Sequence, residues 1–404
     1  MTFLERTGVN RTVAALSFAR MADALGNSMV FVVIPLYVAN LPSPWFPFPE
    51  SVLVGILISL YGLIFSISQP ITGMLSDRLQ NRKAFILGGL AVMMFATLAF
   101  SVVNQFHELI LVRSVQGIGV ALMVPAALAV ISGSSQQQTR GGSMGFYSTL
   151  RMIGFSIGPL MGGFLYVHYG FNTVFYVSGA ILLISLIMAL VWVKEPPRFL
   201  AAESRPREKI LDFDLVRDGT AFLGLATFFM SISYSLISSL ENEFNARLDQ
   251  TALGFGIAFS ALTVTRLIFQ FPLGRLSDRI GRRPVIVAGL IFMAPVTILL
   301  GFVSSTLQLT GARALQGLAS AAIAAPSLAL AADLSHQGSE AKNMSIVAMG
   351  FGLGTTVGPM LAGVLSIEWF QLPFIVGGLL SLVGAWLVYR RVPESAPSLQ
   401  AAGD

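Results

Sequence analysis

Residues 274–283 of this 404-residue chain read GRLSDRIGRR, and residues 73–82, which lie 201 positions earlier, read GMLSDRLQNR. A segment that recurs at a distance of about half the chain length indicates an internal duplication, with two structurally similar halves. Each copy ends a long apolar stretch, carries several basic residues and precedes another apolar stretch. We therefore expect both decamers to form tight loops at a membrane surface, and the functional residues to lie between the two halves.

The composition indicates that lipid is the solvent of this chain. Hydrophobic residues make up 54% and charged residues 11%, and the mean hydropathy is +0.75, which is more apolar material than a soluble fold can bury. The chain has no cysteine, so disulfides, thiolate metal sites and cysteine nucleophiles are excluded. Its three histidines are too scattered for a metal cluster, and we predict neither a metal site nor a cofactor.

The hydropathy predicts an all-α integral membrane protein with twelve transmembrane helices in two pseudo-symmetric six-helix bundles. The bundles comprise residues 1–193 and 215–404, and a cytoplasmic linker spans residues 194–214. The predicted spans are 12–40, 51–76, 84–104, 107–132, 142–168, 171–193, 219–240, 251–275, 284–304, 306–332, 343–366 and 371–390. The linker is predicted as a plain tether, and the alternative is an amphipathic surface helix from about Pro206.

Loop charges predict the orientation in the membrane. Nineteen of the 25 Lys and Arg residues fall in alternate loops on one side, whereas the opposite loops hold only Arg247. The positive-inside rule then places both termini and the linker in the cytoplasm. This asymmetry also explains the net charge of +5 without a nucleic-acid partner.

An arginine triplet, R-x-x-Q-G, recurs inside two predicted spans. An arginine in the hydrocarbon costs about 2.5 to 3.5 kcal/mol on an insertion scale, so each copy requires an anion or a watery cavity. The triplets are Arg113, Gln116 and Gly117 in span 4, and Arg313, Gln316 and Gly317 in span 10.

Asp23 in span 1 is the one acid that we place deep in the membrane. Asp23 lies about 17 Å along its helix from the cytoplasmic start. Arg113 lies about 10 to 13 Å along its own helix from the opposite membrane face, so the two residues can lie at the same depth. A competing pairing joins Asp23 to Arg20, three residues earlier on the same helical face.

A buried carboxyl group that alternates between an apolar environment and an arginine can load and release a proton. Asp23 is therefore the candidate proton carrier, and the alternative is a static Arg–Asp pair that holds helices together. Span 7 has no acid that matches Asp23, so we assign proton handling to the first half.

A glycine-proline pattern, G-x-x-x-G-P-x-x-G-G, lies in span 5 and recurs with one change in span 11. Small residues four apart allow close helix contact, and proline removes a backbone hydrogen bond and bends the helix. We predict a pliable hinge formed by Gly154, Gly158, Pro159, Gly162 and Gly163 in span 5, and by Gly354, Gly358 and Pro359 in span 11.

These motifs together resemble the major facilitator superfamily, and within it the twelve-helix drug:proton antiporters that include the tetracycline exporters. The decamers resemble its loop pattern G-x-L-x-D-R-x-G-R-[RK], from which the first copy departs at Gln80 and Asn81. Span 1 is similar to the family pattern through Asp23, Gly26 and Pro35. The resemblance covers nearly the whole chain.

The resemblance implies that the halves rock about a mid-membrane cavity lined by spans 1, 4, 7 and 10 with help from 2, 5, 8 and 11, while spans 3, 6, 9 and 12 face lipid. It implies a proton-coupling pair of Asp23 and Arg113. The predicted cavity residues are Asp23, Asn27, Arg113, Gln116, Arg151, Tyr234, Arg313 and Gln316.

The resemblance also makes the decamers a conformational latch at the cytoplasmic ends of the halves. In each decamer we expect the first glycine to let neighbouring helices approach, and in the second decamer we expect Gly281 to permit a left-handed turn. The latch residues are Gly73, Asp77, Arg78, Gly274, Asp278, Arg279, Gly281 and Arg282.

The embedded charges bear on the substrate. Away from the ends of the predicted spans the chain has five arginines and one acid, which favours neutral, zwitterionic or anionic amphipathic compounds over polycations. Two of these arginines, Arg20 and Arg266, are near enough to helix ends for their side chains to extend to the cytoplasmic interface. The five are Arg20, Arg113, Arg151, Arg266 and Arg313.

We therefore predict a multi-pass transporter of the cell membrane that exports small amphipathic compounds in exchange for protons. Its partners are the lipid bilayer, protons and a small-molecule substrate, without nucleic acid; we expect a monomer, although the sequence neither requires nor excludes a homo-oligomer. The alternatives are proton-coupled uptake of an organic anion or other small metabolite, and a membrane-bound enzyme or scaffold. An enzyme is disfavoured because we find no catalytic cluster, and ATP-driven pumping because we find no nucleotide-binding loop.

Overall fold

The computed structural model describes residues 9–79, 81–134, 140–194, 219–335 and 340–394. The regular elements in these ranges are helices, and 3₁₀ turns follow α3 at Phe100–Val102 and α7 at Leu236–Ser239. The α-helices are α1 (Arg11–Ala39), α2 (Glu50–Leu79), α3 (Arg82–Ala99), α4 (Phe106–Ser134), α5 (Arg140–Tyr169), α6 (Phe171–Trp192), α7 (Thr220–Ser235), α8 (Glu241–Leu248), α9 (Ala252–Ile280), α10 (Arg282–Leu300), α11 (Thr306–Asp333), α12 (Glu340–Leu365) and α13 (Leu372–Arg391).

Twelve helices among the described residues are long and apolar enough to cross a membrane. They are all the helices except α8, so spans 8 to 12 of the sequence correspond to α9 to α13. The predicted all-α, twelve-helix membrane fold is confirmed, and the chain is a multi-pass membrane protein. The predicted linker lies outside the described residues except for Lys194.

The prediction that the decamers form tight loops is wrong, because most of each decamer is helical. α2 continues to Leu79 and α9 continues to Ile280. The residue types over 274–280 are compatible with a helix, and the chain first breaks at Gly281, which has a φ of 101°. Such a positive φ is open to glycine and strained for other residues.

The seventh span is interrupted, which the hydropathy did not predict. α7 ends at Ser235, a 3₁₀ turn covers Leu236–Ser239, and α8 begins at Glu241. The hydroxyls of Ser233 and Ser235 donate to carbonyls one turn earlier in α7, and such back-bonding loosens a helix. The interruption brings Glu241 to the first position of a new helix.

The chain forms two compact units. Unit 1 comprises Met1–Leu53, Leu60–Ser204 and Glu241–Ser260, and unit 2 comprises Val54–Ser59, Arg205–Leu240 and Ala261–Asp404. In unit 1, α1 packs against α5 and α6, and α3 packs against α4 and α6. In unit 2, α7 packs against α12 and α13, and α10 packs against α11 and α13. The same packing pattern thus occurs twice; the division at residues 193 and 215 stays a prediction.

Each unit has its own apolar core and an apolar outer surface. Leu90 and Met123 are fully buried in unit 1, and Leu290 is fully buried in unit 2. Large apolar side chains are exposed on the helices that we expected to face lipid, such as Ile184 in α6 and Trp386 in α13. Exposed apolar surface of this kind suits hydrocarbon rather than water.

Candidate functional site

Asp23 is buried in α1 and forms an ion pair with Arg20, one turn earlier. Nη1 of Arg20 donates to Oδ2 of Asp23, and the two residues are 7% and 3% exposed. The competing local pairing is therefore the one that the structure contains. We expected the side chain of Arg20 to extend to the cytoplasmic interface, but it is buried against Asp23 instead.

The second oxygen of Asp23 is enclosed. Oδ1 accepts no hydrogen bond from the part of the chain that the structure describes. Arg151 in α5 interacts electrostatically with Asp23, and Tyr61 and Tyr147 interact with Arg20. Oδ1 is consequently the atom at which Asp23 can take up a proton while Oδ2 keeps its contact with Arg20.

Arg113 in α4 contacts amides instead of Asp23. Its Nη1 donates to Oε1 of Gln116 at 3.0 Å and to Oδ1 of Asn27 at 3.4 Å. Its guanidinium also lies 5.5 Å from the ring centroids of Tyr61 and Phe100. The predicted Asp23–Arg113 pairing is therefore not formed in this conformation, and Asn27, one turn after Asp23, takes the contact with Arg113.

An Arg–Gln–Thr chain of hydrogen bonds is present in each unit. In unit 1, Gln116 accepts from Arg113 and donates to Oγ1 of Thr97 at 2.9 Å. In unit 2, Gln316 accepts from Arg313 at 2.7 Å and donates to Oγ1 of Thr297 at 3.0 Å. Each glutamine thus orients a guanidinium in an apolar interior, where a hydrogen bond to a charged group is strong.

Arg313 completes its contacts within unit 2 through the α7 backbone. Its Nη1 donates to the carbonyl oxygen of Tyr234 at 2.8 Å. The Tyr234 ring stacks on Phe351 with a centroid separation of 5.8 Å, and the guanidinium of Arg266 lies 5.2 Å from the same Phe351 ring. The structure therefore gathers Tyr234, Arg266, Arg313 and Gln316 in unit 2.

Arg113 keeps open donors in a buried position. The residue is 1% exposed, yet its Nε and Nη2 have no hydrogen-bond partner among the described residues. Arg151, in the same unit, lies 5.6 Å from the Phe155 ring. Buried guanidinium donors without acceptors can bind an anionic or carbonyl group that enters the site.

A cavity of about 320 Å³ lies within unit 2. Arg266 is its charged group and Gln270 is polar, while the other lining residues are Ala324, Ala325, Leu328, Ala329, Ala332 and Met344. This volume is near the lower end of small-molecule pockets. We expected Arg266 to lie close to the membrane surface, and its position in the sequence did not predict this cavity.

The second decamer is held by acids from outside the motif. Nη1 of Arg282 pairs with Asp333 at 2.9 Å, and its Nη2 lies 3.5 Å from Asp278. Oε1 of Glu394, which follows α13, accepts the backbone N–H of Arg282 at 2.9 Å. A carboxylate there caps α10 and complements its dipole. Asp333 and Glu394 were missed because the motif does not contain them.

The first glycine of each decamer does not serve close packing in this conformation. A Cβ added at Gly274 would meet no atom of the described residues within 4 Å, and one at Gly73 would meet Pro125 at an ordinary 3.5 Å. Our expectation for these glycines is therefore wrong. Arg78 and Arg279 are exposed, and the side chain of Asp77 lies outside what the structure describes.

The glycine-proline pattern packs helices tightly inside each unit. In unit 1, a Cβ at Gly158 would lie 2.7 Å from the Leu25 carbonyl oxygen, and one at Gly162 would lie 2.7 Å from that of Met29. Real Cβ atoms essentially never come so close, so α5 lies directly against the α1 backbone. Gly154 contacts α1 in the same way, and Gly354 and Gly358 contact α7 in unit 2.

The prolines of the pattern contact further glycines. In unit 1, the carbonyl oxygen of Pro159 lies against Gly256 in α9, and a Cβ at Gly163 would lie 2.6 Å from the carbonyl oxygen of Ala252. In unit 2, a Cβ at Gly55 would lie 2.8 Å from the carbonyl oxygen of Pro359. The pattern therefore forms close helix seams, and its role as a hinge stays a prediction.

Comparisons with known proteins cover nearly the whole chain. The profile described as Major Facilitator Superfamily matches residues 16–233 and 219–404. The multidrug resistance protein MdtG of Escherichia fergusonii is 26% identical over 376 residues, or 91% of each chain. The multi-drug resistance efflux pump PmrA of Streptococcus pneumoniae is 28% identical over 351 residues, which cover 85% of this chain and 86% of that protein.

A solved structure has a similar fold. A bacterial homologue of the human lysosomal transporter Spinster, in an inward-facing and occupied conformation, superposes with a TM-score of 0.77. The two chains share 17% sequence identity, and the superposition covers 93% of this chain and 95% of the other. At this identity the likeness concerns the fold.

Proposed function

Because this chain belongs to the major facilitator superfamily, we propose that it exports small amphipathic compounds in exchange for protons by alternating access. It is a membrane transporter of the drug:proton antiporter-like group, to which its multidrug-resistance relatives point. The proton coupling, the substrate class and the direction of transport are the proposed parts.

The observation that carries the proton coupling is the geometry of Asp23. One carboxyl oxygen is held by Arg20, while the enclosed Oδ1 has no hydrogen-bond partner among the described residues. Enclosure disfavours the charged carboxylate, whereas Arg20 and water favour it. A conformation that hydrates Asp23 therefore releases its proton, and a conformation that encloses it favours proton uptake.

Arg113 is the proposed link between this proton site and the substrate. Asn27 lies one turn from Asp23 and contacts Arg113, so a group that binds the open Arg113 donors competes with Asn27. A displaced Asn27 changes the polar surroundings of Asp23. Through this route, substrate binding and protonation of Asp23 influence each other without a direct Asp23–Arg113 ion pair.

The substrate class follows from the buried charges. In unit 1, Asp23 is neutralised by Arg20, which leaves Arg113 as a buried cationic group with open donors. In unit 2, Arg266 lines an otherwise largely apolar cavity, and Arg313 is fully buried. Such sites suit an apolar body with a neutral polar, zwitterionic or anionic group, and they repel polycations.

Uptake of an organic anion is the second candidate, favoured by the open donors of Arg113. Import and export use the same binding chemistry and differ in the direction in which the proton gradient drives the substrate. The proposal also includes cytoplasmic termini, which the loop charges support. It further includes a monomeric state and no nucleic-acid partner.

Transport by the purified protein in liposomes tests the function. The assay follows cationic, zwitterionic, neutral and anionic dyes under an inward-acid pH gradient. We expect neutral, zwitterionic or anionic dyes to accumulate inside, and a protonophore to abolish the accumulation. Accumulation of permanent cations alone would contradict the proposed substrate class. Accumulation only under the reversed gradient, with proton and substrate moving together, would favour uptake.

A further inference from the structure

A fully buried glutamate begins α8. Glu241 is 0% exposed, and neither of its carboxyl oxygens has a hydrogen-bond partner among the described residues. The basic residue of this helix, Arg247, lies in its last turn, and a separation of six residues puts the two on different faces. An ionised carboxylate enclosed without a cation costs several kcal/mol, so the neutral acid fits this position.

The side chain next to Glu241 ties α8 to two other helices of unit 1. Nδ2 of Asn242 donates to the carbonyl oxygen of Pro35 in α1 at 2.8 Å. The same nitrogen contacts Oε1 of Glu50 at the start of α2. A single amide thus fastens α8 to the ends of α1 and α2, beside the buried carboxyl group.

Further enclosed polar atoms lie around this carboxyl group. Oδ1 of Asn242 has no hydrogen-bond partner within the described part of the chain, and the Asn245 amide lies near the Glu241 carboxyl group without a hydrogen bond of standard geometry. Phe244 is 1% exposed, and its ring lies 6.4 Å from that of Phe255 in α9. The site is therefore apolar on the side of Phe244, and its enclosed polar atoms can bind water once α8 moves.

Burial disfavours ionisation of the acids of α8. Burial raises the pKa of Glu241 well above its ordinary value, and the Asn245 amide opposes that shift only in part. Burial also raises the pKa of Glu243 to about 7; the charge of Glu50 from α2 adds to this shift, and Arg247 opposes it. From α1 and α9, the groups that face this region are the Pro35 carbonyl and the Phe255 ring.

We propose that Glu241 is a second proton-binding group of this transporter, whose protonation fastens α8 to α1 and α2 and whose ionisation releases α8. The inference deepens the proposed proton coupling and rests on it. The predicted topology places α8 on the side opposite the termini, so this group senses the external solution. It also revises our assignment of proton handling to the first half alone, because Glu241 belongs to the sequence of the second half.

The raised pKa values fix the sign of the pH effect. A carboxyl group whose pKa is higher when packed binds more protons in the packed state than in the released state. Packing of α8 is then fully stabilised below the ordinary glutamate value of 4.5 and weakens as the pH rises through the raised pKa of Glu241. The ratio of released to packed molecules changes by at most about tenfold per pH unit for each proton involved.

Distance measurement between two spin labels tests the proposal. The chain has no cysteine, so Ala246→Cys in α8 and Val102→Cys after α3 give unique labels at exposed positions of unit 1. We expect one short distance at pH 5.5 and a growing longer-distance population towards pH 8.5. Glu241→Gln should show a clearly smaller change between the two pH values, because its amide cannot ionise; the response that remains belongs to Glu243 and Glu50.

A matched control is Glu368→Gln, which changes an exposed glutamate in the loop before α13, on the same predicted side of the membrane. It should retain the full pH response of the parent. A pH response of Glu241→Gln as large as that of the parent, a distance that does not change with pH, or a response to sodium at constant pH would overturn the proposal.

The same labels in an Asp23→Asn background separate this inference from the proposed function. If Glu241 acts as proposed, the distance change persists when Asp23 cannot ionise. If the distance change is lost in the Asp23→Asn background while the parent protein still shows proton-driven transport, the inference about Glu241 is rejected and the proposed function is not. Intact proton-driven transport in Asp23→Asn would instead reject the role of Asp23 in the proposed function.

Discussion

Asp23 and Arg20 form a buried ion pair within a single helix, one turn apart in α1. The charge of Asp23 is thus balanced by its own helix, and α4 reaches this region through the Arg113–Asn27 contact. The proposed proton site, Asp23, can therefore change its charge without breaking an ion pair between helices. The two charged residues are therefore coupled, and a double variant separates the cost of losing one of them from the cost of losing both.

Arg20→Gln should strongly destabilise the protein. Removal of one partner of a buried ion pair leaves the other charge uncompensated and costs about 3 to 5 kcal/mol. The double variant Arg20→Gln/Asp23→Asn should recover most of that loss, because it removes both charges. Thermal unfolding of the detergent-solubilised protein measures the effect, with the exposed Arg390→Gln as the control. A double variant no more stable than Arg20→Gln would show that the pair is not the cause.

Gly256→Ala should destabilise the seam between α9 and α5. Its new methyl group would overlap the carbonyl oxygen of Pro159, and overpacking of this kind costs about 1 to 3 kcal/mol. Gly145→Ala is the matched control, because a Cβ at that helical glycine meets no described atom within 4 Å. It should stabilise α5 by up to about 1 kcal/mol. Equal unfolding temperatures for the two variants would contradict the close contact.

Glu394→Gln should loosen the start of α10. The carboxylate accepts the backbone N–H groups of Arg282 and Arg283, at 2.9 and 3.4 Å. Its loss as a charged cap weakens that turn by about 0.5 to 2 kcal/mol. Hydrogen–deuterium exchange at these two amides should therefore become faster. Glu368→Gln should leave their exchange unchanged, and slow exchange in Glu394→Gln would argue against the cap.

The fold was predictable because lipid imposes a simple rule on the sequence. Helices must be long and apolar to span a bilayer, so hydropathy located twelve spans and the repeated motifs indicated the duplication. The decamers were misjudged because the charged residues over 274–280 end the hydropathy signal, although they are compatible with a helix that continues to Ile280.

The candidate site was only partly predictable, because sequence motifs name residues but not their tertiary neighbours. The triplets gave Arg113 and Gln116, whereas Thr97, which completes the hydrogen-bond chain, lies in another helix. The repeat could have revealed this residue, since Thr97 and Thr297 lie 200 positions apart. For the partner of Asp23, matching depths in the membrane favoured Arg113, and a shared helical face made Arg20 the competing choice. The structure contains the Arg20 pair.

Glu241 was not predicted as a functional residue for a different reason. The predicted seventh span ended at residue 240, so an acid at the next position resembled an ordinary loop residue. Its burial depends on the 3₁₀ turn at Leu236–Ser239 and on the packing of α8 in unit 1. A local hydropathy average contains neither feature.

Proton-driven transport by Asp23→Asn in proteoliposomes tests the central claim most directly. With the parent protein, an imposed pH gradient should drive dye accumulation, and substrate exchange without a gradient should also occur. Asp23→Asn should lose the gradient-driven accumulation and keep the exchange, since its amide cannot carry a proton. Asp249→Asn, at an exposed position where φ is 48° and which asparagine tolerates, should behave like the parent. Full gradient-driven accumulation by Asp23→Asn would contradict the claim that Asp23 carries the proton.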